Sequence, residues 1–342
     1  MDMNQRHRMI LDAIVSMYIR NGEPVASQTL QDALDISVSS ATLRNEMAKL
    51  TKLGYLNQPH VSAGRVPTNK AYRYYVDNID RTRQISPSDR DTIKKRFDSL
   101  DGDSQRFLQG AAKLFSEIVG YAVVIAPPYD PELQFVNFTF IKTGRFTVAL
   151  VGTTSRGEVA TRVIRLSGEI KEEELSQMAS VLNQKLTFRC YSDIDQAYFT
   201  QLSNRLGKES EAYRELLKGT LSLIEEASNK PVFVYGQENL VSRDMFGGGI
   251  ANVLKLLANT SELKKLVTPR FDGISVVFGD EIGIMGMDSL CIISTRDHAG
   301  NSLNGAVAVV CPRTVDYKRM FLAVDYFAKL LTQSITGIEG ER

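Results

Sequence analysis

Three cysteines, three histidines and no long apolar run leave few chemistries open to this 342-residue chain. Cys190, Cys291 and Cys311 are odd in number and share no CxxC spacing, so neither a disulfide framework nor a structural zinc site is expected. His7, His60 and His298 lie far apart, with no carboxylate or cysteine at ligand spacing, which argues against a locally encoded metal site or catalytic triad. Gly247-Gly248-Gly249 lacks the Lys-Ser/Thr ending of a P-loop and the spacing of a dinucleotide fingerprint. The richest apolar stretches, such as residues 121–126, are strand-length and too short for a bilayer. The opening MDMNQRHRMILDAI is charged and amphipathic without the apolar core of a signal peptide, so a cytosolic location is expected. No internal repeat or low-complexity tract is present. Together these absences argue against an enzyme, and no cofactor is expected.

What the chain does have is an ordinary globular composition, 43% hydrophobic and 24% charged, over a length that exceeds one core and suggests two or three domains. Its net charge of +1 conceals an asymmetry. Between residues 36 and 75 stand Arg44, Lys49, Lys52, Arg65, Lys70 and Arg73 against Glu46 alone, so the remainder is net acidic. Positive charge gathered into one short segment points to a polyanionic partner for that segment.

Residues 5–20 carry Met9, Ile10, Ala13, Ile14 and Met17 at spacings of three and four, which predicts an amphipathic helix closed by Asn21-Gly22. Ser27 suits the cap of a short second helix with Leu30, Ala33 and Leu34 inward. Ser39 suits the cap of a third, with Leu43, Met47 and Leu50 on its inner face and Gly54 at its end. The tight turn through Asp35-Ile36-Ser37-Val38 makes this a helix-turn-helix pattern, whose last helix lies in the major groove. Ser40, Thr42, Arg44 and Asn45 then fall opposite or beside the inner stripe. Arg44 suits bidentate pairing with guanine and Asn45 with adenine. Ser39, Ser40 and Thr42 suit phosphate at the positive end of the helix, and Lys49 adds a cation further along. On residue types alone, the same positions serve equally as caps and solvated surface.

The next segment narrows the choice. Tyr55-Leu56-Asn57-Gln58 reads as a strand and Arg65-Val66-Pro67 as its partner, with His60, Ser62 and Gly64 in the loop between. A hairpin directly after a helix-turn-helix is the wing of a winged helix, and Arg65 is placed to reach a minor groove or a phosphate. Thr68 caps a further helix with Tyr72, Tyr75, Val76 and Ile79 on its apolar side. Lys70 and Arg73 point elsewhere and are expected to contact the DNA backbone.

Beyond it, residues 81–88 are polar, contain Pro87 and read as a linker. Helices are expected at 89–100 and 104–120, then strands at 122–126, 135–142, 146–153 and 159–166. Leu175, Met178 and Leu182 mark another helix, Tyr198 and Leu202 a second, and Tyr213, Leu216, Leu217, Leu221 and Ile224 a third. A strand at 232–235 and helices at 250–257 and 261–266 precede strands at 275–278, 290–294 and 306–311 and a closing helix at 317–334. Strands, a mostly helical block and strands again predict one α+β domain interrupted by an insertion.

The runs Ser40-Ala41-Thr42-Leu43-Arg44-Asn45-Glu46-Met47, Leu53-Gly54-Tyr55-Leu56, Ser62-Ala63-Gly64-Arg65-Val66-Pro67 and Tyr72-Arg73-Tyr74-Tyr75-Val76-Asp77 resemble the heat-inducible transcription repressors of the HrcA family. The chain length, Pro127-Pro128 and the stretch from Gly305 to Pro312 fit the same family. Ala71 stands where glycine is expected in it. The resemblance implies an α+β multidomain protein with a winged-helix DNA-binding domain at 1–80 and a linker at 81–88. A GAF-like α/β domain at 89–170 and 271–342 would be interrupted by a mostly helical dimerisation domain at 171–270. It further implies a homodimer on double-stranded operator DNA, an inverted repeat upstream of chaperone genes, kept active by a GroEL-type chaperonin and without a membrane. GAF-like domains also bind small ligands, so a repressor switched by a small effector is the alternative expectation.

Overall fold

The computed structural model describes all residues except 1–3, 35–37, 61–62, 81–84, 101–103, 128–131, 195–197, 199, 203–210, 243–245, 270–272, 285, 298–304 and 341–342. No helix among the described residues is long and apolar enough to cross a membrane.

Helix α1 (Gln5–Asn21) starts at Asn4, whose side chain accepts from His7 N–H. It stops at Gly22, where φ of 72° lets the N–H turn back to Tyr18 O. Its buried face is Ile10, Leu11, Ile14 and Val15, one row round from the expected stripe, and Met9 is exposed. The rotation follows from packing: α1 meets α2 (Ser27–Ala33), α3 (Ser40–Lys52), α4 (Asn69–Asp77) and the wing at once. In α2 only Leu30 is fully buried, and Ala33 is exposed. The wing pairs β1 (Leu56–Asn57) with β2 (Val66–Pro67), and an isolated antiparallel bridge from Val25 to Arg65 closes its base.

After the winged helix come α5 (Pro87–Asp98), α6 (Ser104–Val119), β3 (Ala122–Ala126), β4 (Phe135–Gly144), β5 (Thr147–Thr154), β6 (Val159–Arg165), α7 (Glu172–Leu186) and α8 (Glu211–Ser228). Then follow β7 (Phe233–Tyr235), α9 (Gln237–Ser242), α10 (Ile250–Ala258), α11 (Thr260–Val267), β8 (Ser275–Phe278), α12 (Gly279–Ile282), β9 (Leu290–Asp297), β10 (Gly305–Pro312) and α13 (Tyr317–Gly340). Helix α5 begins two residues earlier than expected because Pro87 sits at its first position, where no backbone N–H is needed. The expected helix around Tyr198 and Leu202 lies partly outside the described residues.

The strands sort into two larger sheets. One has five strands in the order β7-β3-β10-β9-β8, the other three in the order β4-β5-β6. Every residue of β3 and all but the last of β10 are buried, as in strands covered on both faces. Strands β4 to β6 instead alternate, and their inner residues Phe138, Val148, Leu150 and Ile164 share a core with α7 and α8.

The chain gathers into two compact units. One is Met1–Val124, Val234–Arg296 and Val307–Leu330; the other is Ile125–Phe233, Asp297–Ala306 and Leu331–Arg342. This departs from the expected division at 171–270. The three antiparallel strands belong with the helical insertion, whereas β7 and the helices from Gln237 to Val267 belong with the five-stranded sheet. Periodicity finds a strand but not its partner, and pairing is what decides the sheet.

At the outer edge of the three-stranded sheet, Asn183 of α7 takes the place of a neighbouring strand. Its Oδ1 accepts from Phe138 N–H at 2.7 Å and its Nδ2 donates to Phe138 O at 2.9 Å.

Candidate nucleic-acid interface

Helix α3 is built from its cap inward. Ser39 is extended, and its Oγ accepts from Thr42 N–H at 3.2 Å while meeting Thr42 Oγ1 at 2.9 Å. Leu43, Met47 and Leu50 are buried as expected, and Glu46 joins them on the same side. The opposite face presents Arg44, Asn45, Lys49 and Lys52 to solvent. Arg44 and Asn45 have no hydrogen-bond or ion-pair partner among the described residues, and both guanidinium and carboxamide are available to a ligand.

Glu46 is the feature that residue patterning missed. Its carboxylate is buried between His7 Nε2 at 2.6 Å and Lys49 Nζ at 2.8 Å. The Lys49 hydrogen bond, helped by His7, holds this carboxyl below the usual glutamate range against the opposing effect of burial. Lys49, expected as a DNA contact, ties α3 to itself, although its side chain stays 60% exposed. Ser40 turns sideways: its Oγ lies 3.0 Å from Ser27 Oγ, joining the first turns of α2 and α3.

In the wing, His60 is exposed and its carbonyl accepts from Ala63 N–H, while Gln58 Nε2 reaches Ala63 O at 3.2 Å. Ser62 lies outside the described residues. Gly64 is required for closeness, because a Cβ there would stand 2.4 Å from Val25 O. That approach lets Val25 and Arg65 exchange backbone hydrogen bonds at 2.9 and 2.8 Å. Arg65 stays at the base of the wing, its Nε donating to Thr51 Oγ1 at 3.2 Å.

Two expected backbone contacts are engaged elsewhere. Lys70 Nζ donates to Leu53 O at 2.9 Å and lies 4.3 Å from the centre of the Tyr55 ring, so it caps the negative end of α3. Arg73 points to the C-terminal part of its unit. Its two terminal nitrogens reach Val276 O at 3.1 Å, one of them meets both oxygens of Glu281 at 2.5 Å, and the guanidinium stacks 4.6 Å over Phe278. Those partners lie some two hundred residues along the chain, beyond the reach of local sequence patterning. Among the described residues, no group of three or more His, Cys, Asp and Glu side chains is placed to hold a metal ion.

Comparison with known proteins agrees with this geometry. Residues 2–80 match a family model described as a winged helix-turn-helix transcription repressor, HrcA DNA-binding, and residues 105–321 match one described as the HrcA protein C terminal domain. A heat-inducible transcription repressor HrcA from Geobacter sulfurreducens is 30% identical over 343 residues, spanning 98% of this chain and 99% of that protein. The protein of the same name from Brevibacillus brevis is 28% identical over 337 residues, spanning 98% of each. A crystal structure described as a hypothetical protein is 25% identical with a TM-score of 0.62, covering 98% of this chain and 100% of that one.

Proposed function

The chain belongs to the HrcA family of heat-inducible transcription repressors, and from that premise we propose that it acts as a homodimer on an inverted-repeat operator of chaperone genes. Each protomer sets residues 40–45 into the major groove of one half-site, with the wing around His60 and Arg65 alongside. The observation that carries this reading is the outer face of α3. Arg44 and Asn45 stand side by side, exposed and uncommitted, on a helix whose inner face is buried and whose two ends are capped.

The test is a gel-shift titration at fixed salt on a chaperone-promoter inverted repeat and on a scrambled duplex. Arg44→Ala or Asn45→Ala is expected to cost about 1–3 kcal/mol on the operator and to relax base preference. Equal losses on both duplexes move the residue to the phosphate-contact class, and no preference for the inverted repeat removes the operator assignment.

Support for self-association comes from the second unit. On the uncovered face of its three-stranded sheet, Ile141, Ala149 and Val163 align across the strands, with Thr139, Val151 and Thr161 in the adjacent row. Ile141 is 51% exposed and Val163 is 67% exposed, and none of the six carries a charge. These six uncharged side chains, five of them β-branched, suit a second copy of themselves.

The family also motivates the regulatory part of the proposal, a cytosolic repressor kept active by a GroEL-type chaperonin. A marginally stable repressor loses its active fraction steeply when stability falls by a few kcal/mol. Unfolded clients that occupy the chaperonin during heat stress then leave the repressor unfolded and the genes transcribed. Adding chaperonin to the same titration raises the operator-competent fraction on this account. A purified protein that stays operator-competent through heat-shock temperature without chaperonin defeats it.

A further inference from the structure

Helix α4 is held at both ends of a chain of contacts. Toward the reading helix, Thr68 Oγ1 donates to Gly54 O at 2.7 Å and Tyr55 O at 3.0 Å, and Lys70 caps Leu53 O. Away from it, Asn69 Nδ2 donates to Asp280 Oδ2 at 2.5 Å, and Arg313 Nη1 donates to Asn69 Oδ1. Arg313 also pairs with Asp280 at 3.5 Å, and Arg73 clasps Glu281 and Val276 O. Beneath these groups, Tyr72 packs against Phe278 and Tyr317, and Tyr75 against Tyr317.

We infer that the seam between Asn69 and Arg73 on one side and Asp280, Glu281 and Arg313 on the other positions α3 on the C-terminal frame and so sets which half-site spacing the repressor accepts. This rests on the reading of the protein as a dimeric operator binder.

Three features separate a positioning seam from a merely adhesive one. Arg73 and Glu281 are 33% and 42% exposed, so their attraction adds little stability. Their geometry is nonetheless closely specified, because a planar guanidinium is held by a two-oxygen carboxylate, a carbonyl and a ring face together. The layer below also retains polar groups that adhesion has no use for: Tyr72 Oη and Arg313 Nε are buried without a hydrogen-bond partner among the described residues. A contact that is weak in energy and strict in direction fixes orientation. Orientation matters here because the second winged helix of a dimer binds as an intramolecular partner, and its effective concentration peaks only when its span matches the operator.

The experiment uses the full chain with Asp280→Ala and Glu281→Gln, singly and together. Binding is titrated on a half-site and on inverted repeats whose spacer changes by one base pair across about ten base pairs, one helical turn. The expected result is unchanged half-site affinity, a loss of about tenfold or more at the preferred spacing, and a flattened spacing profile for the double variant. Half-site and full-site affinities that fall by one common factor overturn the inference, as does a profile that keeps its shape. Sedimentation of the unmodified chain separates the two levels. A monomer overturns the dimer reading and this inference with it, whereas a dimer with an unaltered profile in the variants overturns only the inference.

Discussion

A carboxylate on the inner side of α3 must be neutralised twice, once against burial and, in the proposed complex, once against the phosphates outside. Glu46 meets both demands by accepting from His7 on α1 and Lys49 on its own helix. The consequence is a defined acid sensitivity. Because its pKa is lowered in the folded state, the stabilisation is fully present above the unfolded value of about 4.3 and is lost as pH falls through the lower folded value. Thermal melts followed by circular dichroism are expected to show the winged helix weakening as pH drops below about 4. Glu46→Gln should cost about 1–2 kcal/mol at neutral pH and flatten that acid slope, and an unchanged slope would show that the pair carries no such linkage. Nothing in the residue pattern announced Glu46. A charged residue in an inner row reads as a break in the stripe until its partner, 39 positions away, is known.

Among elements, the two ends of α3 are secured by different means, a serine hydroxyl at the start and a lysine ammonium at the finish. Lys70→Met keeps the apolar stem beside Tyr55 and removes the charge from the terminal carbonyl. The expected loss is about 0.3–1 kcal/mol of stability, read by chemical denaturation, with a slope of operator affinity against salt that changes by less than one phosphate contact. A full unit of lost slope would instead restore Lys70 to the DNA backbone. Caps, turns and the order of helix, hairpin and helix are local, and for that reason the winged helix was legible from residues 5–80. Sheet membership was not. The hint lay in burial style, since β3 and β10 read as unbroken apolar runs, whereas Asn137 to Phe140 alternates as a half-covered strand does. The contacts of Arg73 with Val276 and Glu281 were not legible for the same reason, these partners being remote in sequence.

For the whole molecule, the proposed function has two protomers share one operator, with the uncovered face of the three-stranded sheet as the proposed means. Val163→Glu places a charge on that face, at its β6 edge, without touching the core beneath. It is expected to raise the dimer dissociation constant at least about tenfold by sedimentation equilibrium while leaving the melting temperature of the dilute chain unchanged. An unaltered constant would move the contact elsewhere. The opposite side of the same sheet carries a different hazard. Asn183 stoppers the outer edge of β4 at Phe138, and it can do so only while α7 lies in place. Warming that frays α7 withdraws the stopper and bares, in one step, a strand edge open to pairing and the apolar side chains behind it. On the proposed regulation, a repressor built this way fails toward stickiness rather than toward a harmless coil, and the heat that would silence it would also make it a substrate for whatever machinery the cell keeps for trapped chains.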